Sequence, residues 1–165
     1  TVIDETELRR AVADAQRAAQ RMEIATSLGG LGVFERGADD RFSYYDGVVG
    51  ELFGLQPGES PPPVSEAINR VVAEDRDRYI DARRQMRASD VPVRCEYRAR
   101  SVDGRLRDIL SWRRRRVDAD GRYLGEIGAL IDITELRAAE RRAQETAAWL
   151  SIATRSAGMG VWELD

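Results

Sequence analysis

The chain has 165 residues, 42% hydrophobic and 33% charged, with a net charge of −3; this leaves room for one ordinary domain with some helical extension and excludes a disordered tail. No apolar run approaches the roughly 20 residues that span a bilayer, and the first residues lack the basic-then-apolar pattern of a secretion signal. One cysteine, Cys95, and no histidine exclude a disulfide framework, a four-cysteine metal site, the commonest haem ligand and a phospho-accepting histidine within this stretch.

Residues 5 to 28 read as a helix. Leu8, Val12, Ala15, Ala19, Met22 and Thr26 repeat at spacings of four and three, a thin heptad-like seam of the kind that joins helices or lies along its own domain. Leu8, Val12, Ala15 and Met22 are the candidate dimer positions. Gly29-Gly30-Leu31-Gly32 breaks the helix, and Val33-Phe34-Glu35 with Phe42-Ser43-Tyr44-Tyr45 flank a polar turn, so a strand hairpin follows. Asp46 to Phe53 reads as a short helix closed by Gly54, and the proline-rich stretch from Gln56 to Pro63 as a surface loop. Ser65 to Ala88 is helical, with a break expected at Glu74-Asp75-Arg76-Asp77.

The period then changes to two. Val91, Val93, Cys95, Tyr97 and Ala99 alternate with Arg94, Glu96, Arg98 and Arg100, the pattern of a strand with one covered face. Val102 to Arg105 is a turn, Leu106 to Val117 a strand, Asp118 to Arg122 a second turn and Tyr123 to Ile133 the last strand. That strand gives way at Thr134 to Glu135-Leu136-Arg137-Ala138-Ala139-Glu140, all helix formers beyond a possible cap at Asp132 or Thr134. Two strands, a helical insertion, three hairpin-linked strands and an exit helix, without βαβ alternation, predict an antiparallel sheet and the α+β class.

The chain also repeats itself. Ile24-Ala25-Thr26-Ser27-Leu28-Gly29-Gly30-Leu31-Gly32-Val33-Phe34-Glu35 recurs from Ile152 to Glu163 with seven of twelve positions identical, so the exit helix of one module is read as the entry helix of a second.

The helix, the Gly30-Leu31-Gly32-Val33-Phe34-Glu35 strand, Glu51-Leu52-Phe53-Gly54-Leu55-Gln56-Pro57-Gly58-Glu59, Glu74-Asp75-Arg76, the Asp118-Ala119-Asp120-Gly121-Arg122 turn and the Asp132-Ile133-Thr134-Glu135 ending together resemble a PAS domain of the type common in bacterial sensor kinases. The resemblance covers roughly residues 24 to 136. It implies a five-stranded antiparallel sheet whose concave face and helical cover enclose a small pocket, and a helix that carries signal onward from Asp132 and Thr134 through Leu136. It also implies cytoplasmic dimers in two-component or cyclic-di-nucleotide signalling. Where the family often has His-Pro before Glu-Asp-Arg, this chain has Val72-Ala73, so no polar ligand contact is carried over there. The domain reading is a linker and dimer helix over 1–28, a PAS domain over 29–134, a signal-transmitting helix over 135–156, and over 157–165 the first strand of a second PAS domain.

Strand alternation gives Cys95, Tyr97, Ile109, Ile127, Ala129 and Ile131 as concave-face candidates, with ordinary core as their simplest role. Cys95 lies on a strand between Arg94 and Glu96, away from the helical Asn-Cys-Arg motif of flavin-adduct photoreceptors, so neither flavin-adduct nor haem chemistry is expected; a small organic ligand is left open. The segment from Arg94 to Arg116 holds nine arginines, but a period of two splits Arg113-Arg114-Arg115-Arg116 between opposite faces, which argues against a nucleic-acid surface. Pairing with acidic helices is the expectation for them, and Arg113 and Arg115 reaching a carboxylate or phosphate ligand is the sharper alternative.

The exit helix carries its own weak seam, Leu136, Ala139, Ala143, Thr146, Leu150 and Ala153. Neither a glycine-rich nucleotide box nor a catalytic constellation is visible. The functional expectation is a cytoplasmic sensory and dimerisation module of a multidomain bacterial signalling protein, most simply a histidine kinase, with a diguanylate cyclase or phosphodiesterase parent and a ligand-free spacer as alternatives.

Overall fold

The computed structural model describes residues 5–55 and 64–156; the loop expected over 56–63 and the second-copy strand expected over 157–165 lie outside them. The elements run α1 (Glu5–Gly29), β1 (Leu31–Gly37), β2 (Phe42–Tyr45), α2 (Gly47–Phe53), α3 (Val64–Arg70), α4 (Ala73–Ala88), β3 (Val93–Arg100), β4 (Leu106–Val117), β5 (Tyr123–Asp132) and α5 (Thr134–Ser156). The five strands form one sheet in the order β2-β1-β5-β4-β3, with every named pair antiparallel. Two compact units are distinguished, 1–132 with the sheet and 133–165 with α5.

Local chemistry sets the joints. Asp46 caps α2, its Oδ1 accepting from the Val49 N–H at 3.0 Å while Oδ2 accepts from the Val33 N–H at 2.8 Å, so one carboxylate fixes both the start of a helix and the strand beside it. Gly54 ends α2 at φ +65° with the Val102 side chain 2.5 Å from where a Cβ would stand, a position only glycine fills.

The break between α3 and α4 falls at Val71-Val72, before the expected Glu74 to Asp77. Here the Val72 N–H donates to the Arg98 carbonyl at 3.0 Å and Val71 bridges Ala99, so the backbone leaves the helix to pair with the edge of β3. Glu74 and Asp75 belong to the first turn of α4, where acidic side chains complement the helix dipole. The core lies between the sheet and the helices that cross it, with Phe34, Val49, Tyr79, Cys95, Tyr97, Ile109 and Leu130 among its buried residues; Tyr79 and Tyr97 meet edge to face at 4.7 Å.

Candidate functional site

β1 buries Gly32, Phe34 and Arg36 in alternation, and β3 buries Cys95, Tyr97 and Ala99. Register puts Phe34 opposite Gly128 and Arg36 opposite Glu126, so the covered face of β5 carries Glu126, Gly128 and Leu130. Ile127, Ala129 and Ile131 therefore point to the other face, against the expectation from hydrophobicity, and Ile127 is 39% exposed. Two residues reverse the choice. Gly128 leaves room for the Phe34 ring, whose Cζ is 2.4 Å from where a Cβ would be, and Glu126 is fully buried because three guanidiniums receive it.

These guanidiniums belong to Arg36 on β1, Arg83 on α4 and Arg113 on β4. They approach the same oxygen, Glu126 Oε1, at 3.4, 3.2 and 3.5 Å, and all three residues are at least nine-tenths buried. Arg83 also donates to Asp40 Oδ1 at 2.8 Å, and Asp40, shared with Arg87 at 2.7 Å, sits at the rim in the left-handed region at φ +62°. Arg36 stacks 4.2 Å from the Phe42 centroid and Arg113 4.6 Å from that of Tyr79, so aromatic faces cover the planar cations. Glu126 Oε2 and the Nε and Nη1 of Arg36 are buried with no hydrogen-bond partner.

The cluster controls the two tyrosines. Arg113 donates to the Tyr79 hydroxyl at 2.9 Å and to the Tyr97 hydroxyl at 3.5 Å. Burial opposes ionisation of Tyr79, but Arg113, Arg36 and Arg83 outweigh it and bring the phenol down to about 8. Burial and the neighbouring Tyr79 push Tyr97 up to about 12. Burial likewise raises the Cys95 thiol, which leaves it a poor nucleophile.

Of the residues singled out by sequence, Cys95, Tyr97, Ile109 and Arg113 lie on the covered face. Arg115 is at its rim, bonded to Asp90 at 2.9 Å and to the Arg87 carbonyl at 3.0 Å. Arg116 pairs with Glu35, and Arg98 pairs with Asp75 in the acidic first turn of α4. Asp132 ends β5 and accepts from Arg107 at 3.1 Å. Thr134 opens α5, and Leu136 is 57% exposed. Leu8, Val12 and Ala15 are exposed on α1, while the side chain of Met22 lies outside the described residues.

Arg36, Arg83 and Glu126 escape a reading by hydrophobic alternation because each is a charged residue on a covered face. The available signal is Gly128, a strand glycine two residues from Glu126, since glycine within a strand marks the close approach of another group. A shallow groove of about 650 Å³ between α4 and the edge strand β3, lined by Arg78, Asp81, Gln85, Arg94 and Glu96 among others, stands apart from the cluster.

A family model described as "PAS fold" matches residues 42–128. Among solved structures, a sensory box histidine kinase/response regulator from Burkholderia thailandensis is 20% identical with a TM-score of 0.65, over 79% of this chain and 98% of that one. The N-terminal domain of a diguanylate cyclase with PAS/PAC sensor from Marinobacter aquaeolei is 20% identical with a TM-score of 0.57, over 65% of this chain and 98% of that one. A PAS domain from Colwellia psychrerythraea is 15% identical with a TM-score of 0.57, over 72% and 98%. No curated protein matches the chain. Among the described residues, no helix is long and apolar enough to cross a membrane.

Proposed function

The chain belongs to the PAS-fold family, and from that premise we propose that it is a sensory and dimerisation module of a multidomain bacterial signalling protein. It relays a change in the buried charge cluster through α5 to an output domain, in the first instance a histidine kinase in a two-component phosphorelay. The observation that carries the relay is α5 itself, a helix of 23 residues with no buried side chain. Leu136 and Leu150 of its seam are each more than half exposed, as are Trp149 and Ile152 on its other sides, and large apolar side chains left uncovered along a helix favour a partner. The exposed Leu8 and Val12 on α1 and the exposed Trp112 and Ile127 on the uncovered face of the sheet support a homodimer through the flanking segments.

A diguanylate cyclase parent is the second reading, favoured by the Marinobacter aquaeolei likeness. Fusing the chain to a histidine-kinase core and, separately, to a diguanylate cyclase core tests both. The proposal expects Arg113→Met to change the output of the matching fusion, and Leu136→Asp to abolish its dimerisation. Unchanged output from both fusions with both variants leaves only a passive spacer.

A further inference from the structure

Charge inside the sheet unit does not balance. Arg36, Arg83 and Arg113 are each at least nine-tenths buried around Glu126, and arginine does not lose its proton to relieve the excess. Arg83 has a second carboxylate, Asp40, at 2.8 Å. Arg36 and Arg113 are left to share Glu126, one cation more than the available anion. Burying such an excess is costly unless a counter-charge accompanies it.

The hydrogen bonds are incomplete in the same place. Charge-assisted N–H···O bonds run at about 2.7–2.9 Å, yet the three guanidiniums reach Glu126 Oε1 only at 3.2 to 3.5 Å. Crowding on one oxygen stretches all three contacts while Oε2 takes none; Arg36 Nε makes no hydrogen bond, and Nη1 has only its 3.4 Å approach to Oε1. The faces of Arg36 and Arg113 are covered by Phe42 and Tyr79; the N–H edge of Arg113 already serves Tyr79, Tyr97 and Glu126, so the open N–H edge, the edge that an anion binds, is that of Arg36.

We propose that the Arg36–Arg113 pair binds a small monovalent anion of halide or formate size beside Glu126, supplying the missing counter-charge and an acceptor for the open Arg36 N–H groups. One negative charge matches the excess. The interior sets the size: the Phe34 ring rests directly on Gly128, and dense packing of this kind admits few atoms without rearrangement. This inference rests on the sensory reading only for its role as a stimulus; binding itself requires neither a dimer nor an output domain.

The test is the unfolding midpoint of the 165-residue chain in sodium formate or sodium chloride, each titrated against sodium gluconate at constant ionic strength, gluconate being a carboxylate too large to enter. The expected result is a saturable rise of about 4 °C or more in formate, chloride or both, abolished in Arg36→Met. A response to formate alone identifies a carboxylate site, and one to chloride a halide site. Glu126→Gln removes the competing carboxylate, so its midpoint should rise further with the anion than that of the parent chain. If that variant does not fold, the parent chain and Arg36→Met decide. Equal midpoints in all three salts, or the same rise in Arg36→Met as in the parent chain, would overturn the proposal, while the fusion experiments on the relay would stand unaffected.

Discussion

Replacing Asp75 separates a backbone lock from a surface ion pair. Asp75 stands in the first turn of α4, 5% exposed. Its Oδ2 accepts from the backbone N–H of Arg98 at 2.8 Å and from Arg98 Nε at 2.9 Å, and its Oδ1 lies 3.0 Å from Arg78. The backbone bond joins α4 to the edge strand β3, and a hydrogen bond to a charged acceptor contributes about 1.5–3 kcal/mol. The side chains of Arg98 and Arg78 are 42% and 59% exposed, so their pairing adds only about 0.2–1 kcal/mol. Asp75→Ala should therefore cost about 3 kcal/mol in urea unfolding, Asp75→Asn about 1 because one acceptor remains, and Arg98→Ala about 0.5 because its backbone N–H and Arg78 still hold the carboxylate.

The side chain of Arg98, reinforced by its backbone N–H and by Arg78, holds the Asp75 carboxyl below 3.8 against the effect of burial. The stability it contributes is present in full above pH 3.8 and is lost as pH falls through the lower folded value; Asp75→Asn should remove that acid dependence. A cost for Arg98→Ala equal to that of Asp75→Ala would refute the backbone-lock reasoning.

Three other outcomes follow from the same structure. Absorbance at 295 nm should show one tyrosine ionising near pH 8, absent in Tyr79→Phe, because burial and Glu126 oppose its ionisation but the charges of Arg113, Arg36 and Arg83 outweigh them. With the folded value at about 8 and the ordinary one at 10.0, stability should rise between those limits; Tyr97, raised to about 12, should reverse the trend above pH 10. Gly125→Ala should cost about 3 kcal/mol in denaturant unfolding, since φ is +135° and its Cβ would stand 2.0 Å from the Arg36 carbonyl oxygen. Gly121→Ala, at φ +79° with nothing within 4 Å, should cost only about 1. Leu136→Asp should abolish dimerisation in sedimentation velocity while moving the unfolding midpoint by less than about 2 °C, as for an exposed position.

The order of elements was readable because each boundary carries its own chemistry: Asp46 at a helix start, Gly54 and Gly104 at left-handed positions, and strict alternation from Val93 to Ala99. The α3–α4 break falls earlier than composition suggests, because Val71-Val72 looks helical and what ends the helix is pairing with β3, a contact distant in sequence. The site was harder to read. Along β5 the apolar residues Ile127, Ala129 and Ile131 occupy one face while Glu126 occupies the other, and local hydrophobicity favours the wrong side. Only the joint presence of Arg36, Arg83 and Arg113 makes a buried glutamate tolerable, and those three arginines come from β1, α4 and β4. Arg113 stands out because it lies in a conspicuous run; Arg36 is a lone arginine and Arg83 one of an adjacent pair on a helix rich in arginine, so neither draws notice.

The most direct test of a relay through α5 is an insertion series between Arg141 and Arg142, made in the chain fused to a histidine-kinase core and read as autophosphorylation. Each helical residue turns the downstream stripe by about 100°, so two residues bring it to the opposite side and seven return it to within about 20°. The account predicts altered output with two inserted residues and parental output with seven. Output that is identical at every insertion length would contradict it, since a helix whose phase has no effect cannot be transmitting a state of the domain before it.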